Sequence, residues 1–180
     1  MLYSERDHIK RVCFLQDLSD AAEKYGEENI VYFDESGFEE EVVRPHCWAP
    51  RGKKIYGNVS GSKRHRTNLI MAQRCREWLS PMVFDFSCDS SVVNLWLEKM
   101  LLPKLTQPSV IVMDNASFHK KEDIRELLES HRHMLLPLPP YSPDFNPIEE
   151  SFAILKKRRI FAQTALTLEQ LIVSNFGSSG

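Results

Sequence analysis

Apolar residues recur along the chain with two different periods, and the switches between them mark out the elements. From residue 5 to 27, Ile9, Val12, Cys13, Leu15, Leu18, Ala21 and Ala22 fall at mixed three- and four-residue spacing. That is the period of an amphipathic helix, and Gly26 is placed to stop it. Ile30-Val31-Tyr32-Phe33 is a short β-rich run that ends at Asp34-Glu35-Ser36-Gly37. Residues 44–66 are punctuated by proline and glycine and are rich in basic side chains, which predicts a hairpin with loops. Residues 68–74 and 78–86 predict two more strands joined by a turn, and Ser90 or Ser91 can cap a helix over Val92–Leu102. That helix is apolar around most of its circumference, as a well-buried helix is.

Ser109-Val110-Ile111-Val112-Met113 is the strongest strand signal. A uniformly apolar run suits a central strand covered on both faces. It too ends in an acid, Asp114. A helix over 121–131 with Ile124, Leu127 and Leu128 on one face follows, then a fifth strand at 134–138. A proline-rich segment leads into a helix from Pro147 to about Phe161, and Thr167 caps a last short helix. Three early strands at hairpin distance and two later ones separated by helices predict a mixed α/β sheet with helices packed on it. The expected organisation is a helical linker at 1–27, one domain at 28–175 and a flexible tail at 176–180.

Composition narrows the class. The chain has 180 residues, 42% hydrophobic and 27% charged, with a formal net charge of −2. One domain with a real core is the default. No apolar run is long enough to span a membrane, and the first residues carry no apolar signal core. The expectation is a cytoplasmic protein without a membrane partner. The four cysteines, Cys13, Cys47, Cys75 and Cys88, form no CxxC pair and read as reduced thiols. The net charge argues against a uniformly basic nucleic-acid binder, but its distribution does not. Arg51, Lys53, Lys54, Lys63, Arg64 and Arg66 form one basic cluster, and Lys156, Lys157, Arg158 and Arg159 form another. Both are candidate DNA-binding sites, and each alone could be a solvated face. Trp78 and Trp96 read as core, whereas Trp48 and Tyr141 could pack or stack on bases.

The chemistry gathers on acids. Two apolar strands end in Asp34 and Asp114. If those strands are neighbours, the carboxylates converge, and such a pair shares a proton or binds a cation. Aspartate also caps turns after strands, which is the plainer explanation of either residue alone. A third acid would complete a two-cation site of the kind that suits phosphodiester cleavage. Glu149 is placed to supply it. Asn146 reads as an N-cap and Pro147 as the first helical residue, so Glu149 falls at the third helical position, at the anion-favouring end of the helix. Glu149 there could equally reach back to the Asn146 amide as a capping box. Glu150 lies about 100° further round and faces elsewhere.

These segments resemble a known family. VYFDESGF (31–38), IVMDNASFH (111–119) and PPYSPDFNPIEESFAILKKR (139–158) are similar to the three catalytic blocks of DDE transposases of the Tc/mariner superfamily and their bacterial insertion-sequence relatives. CWAPRGKK (47–54) resembles a further block of that family, and 34 residues, 115 to 148, separate Asp114 from Glu149 as its pattern requires. The resemblance implies a ribonuclease-H-like fold with a mixed five-stranded sheet flanked by helices, and a catalytic triad of Asp34, Asp114 and Glu149. The triad would hold two divalent ions, Mg²⁺ or Mn²⁺, with no small-molecule cofactor. The implied activity is DNA strand cleavage and strand transfer at transposon ends. Transposon-end and target DNA would be the partners, with a homodimer as the active form and a nucleoid-associated location. It also places Asn115 and His119 beside the site. About 28 residues precede the first strand, fewer than the helix-turn-helix domains of the family need. A truncated catalytic core is therefore expected. A catalytically silent DNA-binding remnant and a general ribonuclease-H-like nuclease remain open beside it.

Overall fold

The computed structural model describes residues 7–39, 66–114, 121–161 and 167–176. Helix α1 (His8–Tyr25) starts where Asp7 accepts hydrogen bonds from the amides of Ile9 and Lys10, both at 3.1 Å. It ends at Gly26, whose φ of +90° suits a residue without a Cβ and lets its N–H close on the Ala22 carbonyl. Five strands follow: β1 (Ile30–Glu39), β2 (Arg66–Arg74), β3 (Glu77–Phe84), β4 (Val110–Met113) and β5 (Met134–Pro137). They form one sheet in the order β3-β2-β1-β4-β5. The first three strands pair antiparallel, while β4 and β5 run parallel to β1. This is the mixed five-stranded sheet that the patterning predicts.

Helices cover both faces. Beneath one face lie α2 (Ser90–Trp96) and α3 (Lys121–Ser130), with Val93, Trp96, Ile124 and Leu128 packed against Val31, Phe33, Ile111 and Met113. On the other face lie α1, α4 (Ile148–Phe161) and α5 (Leu168–Phe176). Phe14 and Ala21 of α1 bury against Val110, Val112, Leu136 and Leu138. Phe152 and Leu155 of α4 bury against Leu69, Met71, Leu171 and Ile172. The alternation of side chains along β1 and β4 separates the two cores, odd residues to one face and even residues to the other. This sharing of faces decides where the acids go.

Three local expectations are corrected. β1 does not end at Asp34. Its parallel pairing with β4 stops at Phe33 opposite Met113, but its antiparallel ladder with β2 continues to Glu39 opposite Arg66. The ladder bonds backbone to backbone, so the loss of apolar side chains after Phe33 does not end it while β2 supplies partners. The cap of α2 is Asp89, not Ser90 or Ser91. Its carboxylate accepts from the amides of Ser91 and Val92 at 2.9 and 3.1 Å, and a charged acceptor suits the positive end of a helix. Finally, α2 does not run on as a regular α-helix to Leu102. At Leu97–Leu101 it widens into i→i+5 bonding, with the Leu102 amide on the Leu97 carbonyl. The wider turn keeps both Leu97 and Leu101 in the core and leaves the Met100 carbonyl to accept from Ser80 Oγ at 2.7 Å. At the other end of the chain Thr167 caps α5 as expected, its Oγ1 accepting from the Gln170 amide at 3.3 Å.

Candidate active site

The register of two strands sets the site. Phe33 pairs with Met113, so the next residues on these adjacent parallel strands are Asp34 and Asp114. Neighbouring strands lie about 4.8 Å apart. Both aspartates follow the even-numbered side of the sheet, the side of Tyr32 and Val112, where α1 and α4 pack. Because β1 runs on beyond the parallel ladder, Asp34 sits where the sheet opens on the β4 side, half-buried rather than at a frayed end.

The electrostatics follow from that position. Burial pushes the Asp34 carboxyl up to about 8, and the charges of Glu35, Asp114 and Glu149 add to the rise, against the lowering effect of the Glu35 amide. That amide donates to Asp34 Oδ1 at 2.8 Å. Burial and neighbouring acids that hold a carboxyl protonated also favour the approach of positive charge. A stability consequence follows. In a metal-free chain the folded state keeps a proton on Asp34 that the unfolded chain releases near its ordinary 3.8. Asp34 therefore destabilises the fold progressively as pH rises from about 4 to 8. Asp34→Asn, relative to the parent chain, is expected to gain stability between pH 5 and pH 8. Urea midpoints of both chains in a chelator measure this, and a relative loss over that range would contradict it.

α4 brings the third acid. The helix begins beside β1, with Ile148 fully buried and Glu149 exposed in its first turn. Asn146 is not the capping residue that the sequence suggests. Its carbonyl accepts the Glu149 amide at 3.1 Å, but its side chain turns inward and donates from Nδ2 to Asp34 Oδ2 at 3.1 Å. Asn146 is 4% exposed, and its Oδ1 is enclosed with no hydrogen-bond partner among the described residues. A capping role would have pointed this amide at backbone N–H groups. The Asp34 carboxyl oxygen instead gives this enclosed amide N–H a partner where water has little access.

The donor set fits a hard divalent cation in kind, with carboxylate oxygens and one enclosed amide oxygen. As placed, no three His, Cys, Asp or Glu side chains among the described residues stand close enough to share one ion. Asp34 lies within the β1–β2 ladder, Asp114 stands one residue beyond the β1–β4 pairing, and Glu149 is exposed at the start of its helix.

A family model described as DDE superfamily endonuclease matches residues 29–172. The chain belongs to this family. It is also similar in fold to the Mos1 transposase paired-end complex with left transposon end, at a TM-score of 0.77 and 16% identity, covering 100% of this chain and 58% of that one. The Mos1 strand transfer complex gives 0.77 and 16%, over 100% and 56%. The catalytic domain of Mos1 mariner transposase gives 0.69 and 15%, over 100% and 87%. The chain thus spans a little under three-fifths of the longer Mos1 chains and most of the catalytic domain, and its fold is ribonuclease-H-like. None of the curated proteins matches the chain.

Within this DDE endonuclease the other expected site residues divide. Asn115, His119, Arg51, Lys53, Lys54, Lys63, Arg64 and Trp48 lie outside the described residues. Arg66 is exposed at the start of β2, its guanidinium lying where a side chain on Gly37 would stand, so the glycine of FDESGF makes room for it. Lys156, Lys157 and Arg158 are exposed on α4, about 10–15 Å along the helix from Glu149. Arg159 is half-buried, with Nη1 enclosed and without a hydrogen bond among the described residues. Trp96 is buried as expected, Trp78 donates its indole N–H to Ser151 Oγ at 3.0 Å, and Tyr141 is 53% exposed. Cys13, Cys75 and Cys88 are free thiols, and burial followed by the nearby Glu35 and Asp89 charges pushes Cys88 up to about 11, too high for a thiolate nucleophile. Asn146 and Arg11 were not predicted as site residues. Prolines on either side of the turn made Asn146 read as a cap, and nothing in the pattern ties Arg11 to residues more than 130 positions away.

Proposed function

We propose that this DDE endonuclease domain is a transposase catalytic core that cuts and joins DNA strands, with Asp34, Asp114 and Glu149 as the catalytic and metal-holding residues. The observation that carries the reading is the step from the Phe33–Met113 pair to Asp34 and Asp114, with the Glu149 charge felt at Asp34. Two divalent ions, Mg²⁺ or Mn²⁺, would be held by these three acids and supply charge that stabilises the entering and leaving oxygens of a phosphodiester. Mos1 transposase has been solved as a paired end complex with Mg and with Mn, which supports the choice of ion and of DNA as substrate. Pairing of two copies on two transposon ends, target DNA as a second substrate and a nucleoid-associated cytoplasmic location belong to the same reading.

The chain's own residues do the positioning. Asp34 lies within the β1–β2 ladder and Asp114 directly follows β4, so the two acids come one residue after the paired Phe33 and Met113. Asn146 fixes the Asp34 carboxylate by its amide N–H. The positive end of α4 favours a phosphate beside Glu149. Further along the same helix, Lys156 and Lys157 can neutralise the flanking backbone, a contact that weakens with added salt. The proposed activity is tested by incubating the chain with supercoiled plasmid and Mn²⁺. Nicking that appears with Mn²⁺ and disappears on chelation is expected. Cleavage that persists in the chelator would overturn the reading, and DNA binding with no cleavage would make the chain a binding remnant.

A further inference from the structure

The family match begins at residue 29, and α1 lies before it. Yet α1 grips the loop that delivers Glu149. Arg11 donates from Nη1 to Ser142 Oγ at 2.8 Å and to Asp144 Oδ1 at 3.1 Å, and from Nη2 to Asp144 Oδ2 at 2.6 Å. Its guanidinium also lies 3.9 Å from the centroid of the Phe145 ring, and that ring stacks on Phe14 at 5.5 Å and 17°. A two-pronged guanidinium–carboxylate pair fixes direction as well as distance. The Arg11 side chain is 16% exposed and that of Asp144 43%, so the pair lies at the surface and its two-pronged geometry matters more than its charge.

What is gripped is a strained turn. Tyr141 has a φ of +54°, a left-handed conformation unusual for a residue with a Cβ, which persists where surrounding contacts over-determine it. The turn then closes through Phe145 N–H to Ser142 O and Asn146 N–H to Pro143 O. Asn146 hands the position on in two directions, by its side chain to Asp34 and by its carbonyl to the Glu149 amide. An unbroken chain of bonds therefore runs from Arg11 to the Asp34 side chain and to the backbone of Glu149.

We propose that Arg11 is a positioning residue, and that α1 acts as a brace setting where Asn146 and Glu149 stand against Asp34. The inference rests on the assignment of Asp34, Asp114 and Glu149 as the metal-holding acids. Its test is Mn²⁺ binding to the chain, followed by calorimetry or by the electron paramagnetic resonance of the free ion, beside plasmid nicking across a Mn²⁺ series. Arg11→Ala is expected to weaken Mn²⁺ binding about tenfold, at the lower end of what loss of outer-shell support costs a metal site. Nicking should fall at limiting Mn²⁺ and largely recover at saturating Mn²⁺, a split that a general loss of folded protein would not give. Asp144→Asn should do the same, and the double variant should be little worse than either single one. Arg11→Lys keeps the charge and stem but loses the fork, so it guards against a folding failure of the alanine variant and should bind Mn²⁺ about threefold more weakly. Parental Mn²⁺ affinity in both Arg11→Lys and Asp144→Asn would overturn the brace. If the parent chain itself bound no Mn²⁺, the acid assignment would fail instead.

Discussion

Asp114→Asn is expected to lower metal-dependent nicking about a thousandfold while leaving the fold intact. The substitution keeps the shape of the side chain and removes its charge at the point where β4 leaves the sheet. Cations held at the proposed site would contribute several kcal/mol of transition-state charge stabilisation, and about 4 kcal/mol corresponds to that factor. Glu149→Gln should act in the same direction, because its charge is one of those felt at Asp34. Glu150→Gln is the contrasting variant. Glu150 follows in the same exposed first turn but points about 100° away, so its loss should change the rate less than threefold. Single-turnover nicking under saturating Mn²⁺ measures all three. Parental rates in Asp114→Asn, or equal losses in the two glutamate variants, would remove the site from these residues.

The second large effect is expected in the core beneath the acid strand. Trp96 is 1% exposed, lies 5.5 Å from the Phe33 ring and donates its indole N–H to the Ser80 carbonyl at 2.7 Å. Ser80 has a φ of +51° and lies where the β2–β3 register shifts, so its carbonyl depends on this partner. Trp96→Ala should therefore cost about 3–5 kcal/mol, combining a large cavity with an orphaned carbonyl. Domains of this kind have about 5–15 kcal/mol in total, so much of the stability would go. Trp96→Phe keeps much of the packing and loses only the hydrogen bond, for about 1–2 kcal/mol. Urea unfolding gives both values. A cost below about 1 kcal/mol for the alanine variant would show that the core tolerates collapse there.

How far the sequence revealed this molecule depended on how local each determinant was. β4 is four fully buried apolar residues, a short β-branched run between turn signals that suits an interior strand, so its place was legible. The two aspartates stand out because they follow apolar runs, and those runs are neighbouring strands of the sheet. The full length of β1 was hidden, since Asp34-Glu35-Ser36-Gly37 looks like a turn and is held as strand by the backbone of β2. Asn146 was seen but misjudged. Its neighbours favour a cap, whereas its side chain answers to Asp34, 112 positions away. Arg11 was out of reach for the same reason, as one arginine in an amphipathic helix carries no mark of its partner. Side chains whose partners are distant in sequence are the ones that periodicity and capping rules pass over.

The site as a whole is tested most directly by diffraction from crystals of the chain soaked in Mn²⁺, recorded where manganese scatters anomalously. The expected result is anomalous density between Asp34, Asp114 and Glu149, resolving into two ions about 3.5–4 Å apart when DNA is bound. Manganese held by other acids, with that space empty at saturating Mn²⁺, would contradict the account.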